Sequence, residues 1–296
     1  MKSLSLIILT YNSEKDIYDC LKSVYLYNDI GDDLEIIVVD NNSKNFAVMQ
    51  NRLHILYPNV LVINNLQNGG YGQGNNVGIK ASTAPIVAIM NPDVRLIMPV
   101  FNEFILTLQN PNSVMCSGKQ YQSQQKVAES YCYGFTSHAI LRSFGQAICR
   151  KLNIYDYHRM WLQGAFFAIK KEEFEHIGLF DEHIFMYSEE FDIFIRLRKS
   201  YPQKKIAYLS HIHYLHLAGG RPNKDIAKRL SNAISSELYL CQKYNFSVKQ
   251  YVINELRTMQ YRQFICAILH PNLLPLVKEF NNIKKKVLLE STKDIY

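Results

Sequence analysis

The stretch PIVAIMNPDVRL (residues 85–96) runs through five apolar residues, then Asn91 and Pro92, and then a carboxylate, Asp93. A carboxylate at the mouth of an apolar run suits a hard divalent cation, Mg2+ or Mn2+, which takes oxygen ligands and bridges diphosphate oxygens. Pro92 fixes φ and turns the chain, aiming Asp93 away from the run. The plainer alternative is a turn cap, because Asn-Pro often starts a turn. Two other polar groups stand in the same relation to apolar runs: Thr10-Tyr11-Asn12 after LSLIIL, and Asp40-Asn41-Asn42 after LEIIVV. Further on, Glu189-Glu190 opens an amphipathic stretch. Carboxylates there can accept a proton or cap a helix N-terminus. His216 closes HIHYLH and is open to two readings, ligand or structural imidazole, with His211 and His213 close by.

The elements that must position these groups follow from hydrophobic patterning. LSLIIL, LEIIVVD, VLVIN and the run at 86–90 read as strands, separated by helical patterns at about 16–27 and 47–56 and, before the fourth, by the Gly/Asn-rich loop NGGYGQGNN and a short helix. This alternation predicts an α/β fold with a mostly parallel, doubly wound sheet. In such sheets ligands bind beyond the carboxyl ends of the strands, where all three polar groups fall. Residues 111–156 are weakly patterned and read as irregular. GAFFAIKKEEFEHIGLF reads as a strand feeding a helix that stops at Gly178, residues 188–200 as a helix, and KIAYLSHIHYLH as one or two strands. The boundaries expected are 1–220 for the main domain (donor half 1–118, acceptor half 119–220) and 221–296 for a helical extension.

Known nucleotide loops are missing. The first strand is followed by TYNSEKD, with no glycine for a dinucleotide fingerprint, and there is no Walker A loop. A nucleotide diphosphate held through a cation at Asp93 is the remaining reading. The six scattered cysteines form no C-x-x-C pair, which argues for a reducing cytoplasm. No signal peptide or bilayer-spanning run is visible.

Taken in order, IILTYNS, IIVVDNNS, QNGGYGQGNNVGI, MNPDV and the long segment at 161–199 resemble the family-2 inverting glycosyltransferases, in particular the bacterial rhamnosyltransferase-like members. The resemblance covers about residues 4–220. It implies transfer of a sugar from a nucleoside diphosphate, dTDP- or UDP-linked, to an acceptor hydroxyl on a glycan or a lipid-linked glycan. It assigns Asp93 and His216 to the cation, with Asn91 in place of an acidic residue. Tyr11 would lie against the nucleotide base and Asp40 would accept from its ring N–H. Thr10, Asn12, Asn41, Asn68, Gly70, Asn75 and Asn76 would complete the donor pocket. Glu190 falls where the family has an aspartate base and is one methylene longer, with Glu189 and Asp192 as fallbacks. Trp161, Gln163, Gly164 and Asp192 would face the acceptor.

The formal charge of +7 lies in the last quarter: residues 1–220 carry 20 Lys and Arg against 20 Asp and Glu, and residues 221–296 carry 13 against 6. No aromatic-interleaved basic patch points to nucleic acid. NNIKKKVLLEST (residues 281–292) joins lysines to an apolar side, as peripheral membrane segments do. A solvated helical surface is the alternative. Contact with the inner face of the cytoplasmic membrane is therefore an expectation, useful for a lipid-linked acceptor. Two rivals to transfer remain: a sugar-nucleotide pyrophosphorylase, whose basic glycine loop is missing here, and a relative that binds nucleotide-sugar without turnover.

Overall fold

The computed structural model describes residues 2–123, 125–217 and 226–293. Four runs of apolar residues become the strands β1 (Leu4–Thr10), β2 (Leu34–Asp40), β3 (Leu61–Asn64) and β4 (Ile86–Met90), paired in parallel in the order β3-β2-β1-β4. β1 and β4 are buried almost throughout, which is why they read as unbroken apolar runs. Helices α1 (Glu14–Leu26), α2 (Phe46–Leu56) and α3 (Gly70–Ala81) make the crossovers. Ile17, Leu21 and Val24 of α1 join Leu4, Leu6 and Ile8 of β1 in the core of one face.

The predicted loop NGGYGQGNN is mostly helix, because α3 starts at Gly70. Its glycines allow the helix to lie directly on the sheet. A Cβ on Gly78 would stand 2.6 Å from Ile7 Cγ2, and one on Gly74 would strike Leu9 and Asn41. Local propensity gives way here to a close helix–strand approach.

Beyond β4 the sheet is mixed. β5 (Val94–Leu96), α4 (Phe101–Gln109), β6 (Ser113–Ser123) and β7 (Lys126–Val127) come next, followed by β8 (Tyr131–Tyr133), α5 (Gln146–Leu152), β9 (Met160–Leu162) and β10 (Phe166–Lys170). The chain then forms α6 (Lys171–His176), α7 (Glu189–Ser200), β11 (Lys205–His216), α8 (Ile226–Lys243), α9 (Val248–Leu269) and α10 (Leu274–Ser291). The nine-stranded sheet runs β3-β2-β1-β4-β10-β6-β11-β5, with β7 on β6, and β8 pairs with β9 separately. β10 is antiparallel to β4 and β6, and β11 to β5, while β11 runs parallel to β6, so the expected α/β sheet is parallel through its first four strands and mixed beyond them. The segment read as irregular contains β6, an eleven-residue strand whose buried part, SVMCSG, is too polar to stand out.

The chain divides into two compact units, one of Met1–Tyr131, Leu162–Phe185 and Glu189–Gly219 and a second of Cys132–Trp161, Met186–Ser188 and Gly220–Tyr296. The first holds the nine-stranded sheet. In the second, residues 132–161, placed by patterning in the acceptor half, group with the C-terminal helices. The expected boundary at 220/221 lies outside the described residues.

Candidate active site

Antiparallel pairing of β5 with β11 sets His216 opposite Val94, and the Leu217 N–H donates to the Asp93 carbonyl at 2.9 Å. Two residues far apart in sequence are thereby fixed side by side, with Asp93 Oδ1 3.3 Å from His216 Nε2. Neighbouring ligands of an octahedral cation at about 2.1 Å stand roughly 3 Å apart, so this spacing fits a shared Mg2+ or Mn2+. The mixed oxygen and nitrogen set suits Mn2+ as well. Among the described residues no three His, Cys, Asp or Glu side chains cluster as a metal cage. The remaining ligands would have to come from diphosphate and water. The neighbouring histidines are occupied elsewhere: His211 lies 3.3 Å from Glu103, and the His213 ring packs edge-on to Tyr121.

The antiparallel run of β10 brings its N-terminal end to the same edge, where the Asn91 N–H donates to the Ala165 carbonyl at 2.8 Å. This places Gly164 against Glu190, in the first turn of α7. A Cβ on Gly164 would overlap the Glu190 carboxylate, so only glycine permits the approach. Burial pushes the Glu190 carboxyl up to about 7, against the opposing pull of the Gly164 and Glu190 backbone N–H groups. A carboxylate titrating near neutrality is suited to general base work. Glu189 beside it is buried. Just before the pair, Tyr187 and Ser188 both have positive φ, at 75° and 68°. Two successive non-glycine residues in that region store strain of the kind found at functional sites.

Tyr71 joins these groups. Its hydroxyl donates to the Gly164 carbonyl at 3.0 Å and its N–H to the Phe185 carbonyl at 2.9 Å. Burial, followed by the charges of Glu190, Glu189 and Asp93, raises its phenol well above 10. One phenol thus feels both candidate base carboxylates and the candidate cation ligand. Gly70, at φ +95°, lets the backbone pass tightly under Phe185.

At the ends of β1 and β2, Asp40 is fully buried and accepts from Thr10 Oγ1 (2.9 Å), Ser43 Oγ (2.6 Å) and Ser43 N–H (2.7 Å). In this arrangement Asp40, expected to meet a nucleotide base, ties together the loops that follow β1 and β2. Asn12, at φ 50°, continues the knot through Ser43 Oγ and the Lys44 N–H. Tyr11 stands half-exposed beside it, with a ring face open for stacking. Asn41 donates to the Gly70 carbonyl and accepts from Asn65, while Asn68 Oδ1 accepts from the Gly70 N–H. Asn76, expected in the donor pocket, has partners within the chain. It clamps Phe180, donating to its carbonyl and accepting from its N–H, both at 3.0 Å, and so works inside the chain. Asn75 donates to the Tyr71 carbonyl, and its buried Oδ1 has no hydrogen-bond partner.

A family model described as glycosyl transferase family 2 matches residues 5–194. The chain belongs to that family. A curated relative, the low-salt glycan biosynthesis hexosyltransferase Agl10 of Haloferax volcanii, is 30% identical over 209 residues, covering 67% of this chain and 62% of that protein. The chain thus spans less than two thirds of that relative's length. Among solved structures, the mannosyltransferase PcManGT from Pyrobaculum calidifontis, in complex with GDP-Man and Mn2+, superposes with a TM-score of 0.62 at 14% identity. That match covers 99% of this chain and 87% of the other. S. aureus TarS 1-349 gives 0.54 at 17% identity over 100% of this chain and 92% of that one, both alone and in complex with UDP. At these identities the likeness is one of fold.

Within this family-2 glycosyltransferase, Asp192, expected on the acceptor side or as a fallback base, is paired within α7. It has no exposed surface and is gripped by Arg196 through Nε (2.8 Å) and Nη2 (2.5 Å). Gln163 is held by its N–H on the Ser130 carbonyl at 2.9 Å, and Trp161 lies half-buried on β9. The reading from residues misses Tyr71, Asn65 and Ser43. For Tyr71 the available signal is an aromatic residue inside a glycine run, where a loop needs none.

Proposed function

We propose that the chain transfers a sugar from a nucleoside diphosphate to an acceptor hydroxyl in one in-line displacement, with inversion at the anomeric carbon. The bond from the anomeric carbon to the diphosphate oxygen breaks, and the diphosphate leaves with the electron pair. The acceptor oxygen forms the new bond and its proton passes to the Glu190 carboxylate. Gly164 keeps that carboxylate in place through its N–H and its missing side chain. Tyr11 stacks on the base of the nucleotide. Asp93 and His216 would hold Mg2+ or Mn2+, which when bound offsets the charge of the departing diphosphate.

The observation that carries the reading is the meeting of Asp93 and His216 at 3.3 Å across β5 and β11. The donor class follows from relatives: a hexosyltransferase of glycan biosynthesis in sequence, and structures with GDP-Man and UDP. UDP- and dTDP-sugars, with rhamnose first among the deoxyhexoses, and GDP-mannose form the panel to test. The acceptor is a glycan or lipid-linked glycan reached from the cytoplasmic side of a membrane, and the catalytic region is that of residues 1–220.

Thermal-shift screening of that panel with and without Mn2+, followed by an assay for nucleoside diphosphate release, tests the proposal. One donor should raise the midpoint, more so with Mn2+, by mass action. If no donor does so and no nucleoside diphosphate is released above background, the reading fails.

A further inference from the structure

The second unit exposes apolar side chains where its packing would be expected to bury them. Ile140, Phe144, Ile148 and Leu152 recur every fourth residue through the π-helical turn Leu141–Gly145 and α5, with Ile148 and Leu152 57% and 60% exposed. A second stripe on α9 includes Phe264 (58%) and Ile268 (63%). The stripes meet where the Phe144 ring lies 5.8 Å from that of Tyr261, one helical turn before Phe264. The surface is held firmly from beneath. Arg142 pairs with the buried Glu255, which also accepts from Lys284 Nζ at 2.5 Å. The two cations hold the Glu255 carboxyl well below the usual range.

Cations surround this apolar face: Arg150 and Lys151 on α5 and Arg262 on α9 are exposed. The whole second unit carries 17 Lys and Arg against 7 Asp and Glu, a net of +10, which leaves −3 for the unit bearing the candidate active site. The segment expected at the membrane, residues 281–292, exposes Leu289 (44%) but turns other groups inward. Its Leu288 is fully buried and its Lys284 is committed to Glu255. No helix among the described residues is long and apolar enough to cross a bilayer.

We propose that the Ile140–Leu152 stripe and the Phe264 end of α9 form one docking face for an anionic phospholipid surface. Apolar side chains would enter the headgroup boundary while the surrounding cations meet lipid phosphates and carboxylates. A second copy of the chain fits less well, because two faces of the same strong positive charge repel one another. The inference does not depend on turnover.

The test is flotation of the full chain with vesicles of phosphatidylglycerol and phosphatidylcholine in equal parts, against vesicles of phosphatidylcholine alone. The chain should float with the first, less so in high salt, and remain behind with the second. Ile148→Asp with Leu152→Asp should reduce partitioning at least about tenfold. Arg150→Ser with Lys151→Ser should reduce it by about fivefold per cation. Because all four residues are exposed, thermal midpoint and nucleoside diphosphate release on a soluble acceptor should not change. A chain that floats yet releases no nucleoside diphosphate keeps this inference and sinks the proposed activity. Absence of flotation, equal flotation of the apolar variant, or a dimer dissolved by that variant would overturn it.

Discussion

Glu190→Gln separates the chemistry of the candidate base from its cost to the fold. The Glu190 carboxyl is raised from its ordinary value of 4.5 to about 7. Because the folded chain holds this proton more tightly than the unfolded chain, it binds more protons between those two values. Stability therefore falls as pH rises through that window and levels off above it. A shift of that size corresponds to about 3 kcal/mol once the group is fully ionised. Gln at 190 has the same reach and no charge, so the variant lacks this slope. In urea titrations across the pH range, native and variant chains should be nearly equal below the window. The variant should be more stable by about 3 kcal/mol above it. Turnover should fall by about 100-fold or more, with donor binding kept. A stability gap that stays constant with pH would refute the account of burial. Full turnover in the variant would refute the assignment of the base and move it to Glu189.

Asp93→Ala should erase the extra stabilisation by a donor that Mn2+ provides and remove metal-dependent turnover, checked by thermal shift and product release. Gly164→Ala drives a methyl into the Glu190 carboxylate. It should cost at least about tenfold in kcat and about 1–3 kcal/mol in unfolding free energy. Tyr71→Phe leaves the Gly164 carbonyl without its hydroxyl donor and loosens Gly164, whose own N–H lowers the Glu190 value, so the acidic limb of the kcat profile should move up in pH. Asp192→Ala strands the Arg196 guanidinium; calorimetry should show a loss of about 3 kcal/mol or more, with any loss of turnover explained by unfolding.

What could be seen in advance depended on how strongly each segment advertises its environment. β1, β2 and β4 are buried on both sides, and nothing but long apolar runs satisfies that. Asp93 was visible because a charge interrupts such a run, and His216 because the family resemblance chose it from three nearby histidines. β6 was hidden because Ser113, Ser117 and Gly118 replace large side chains where neighbouring elements press close. The glycine run before Asn75 looked like a loop because propensity is local, whereas the contact that makes it helical lies across the sheet. At Asp40, Asn76 and Asp192 the residue types alone do not show an internal role. Only the hydrogen-bond partners show that they hold the chain together from within. Tyr71 needed the fold outright, since Gly164, which it grips, is far away in sequence.

β11 acts as a late clasp. The loop between residues 93 and 216 is about 120 residues long, and closing it costs on the order of 4 kcal/mol in chain entropy. In the finished sheet β11 lies between β6 and β5, which carries the contact across the chain. On the proposed reading, a chain without this pairing lacks the joined Asp93 and His216 that would hold a cation. Conversely, a donor and cation bound across the clasp will fasten it, so the amides of 205–216 will exchange with solvent more slowly in the loaded protein than in the empty one.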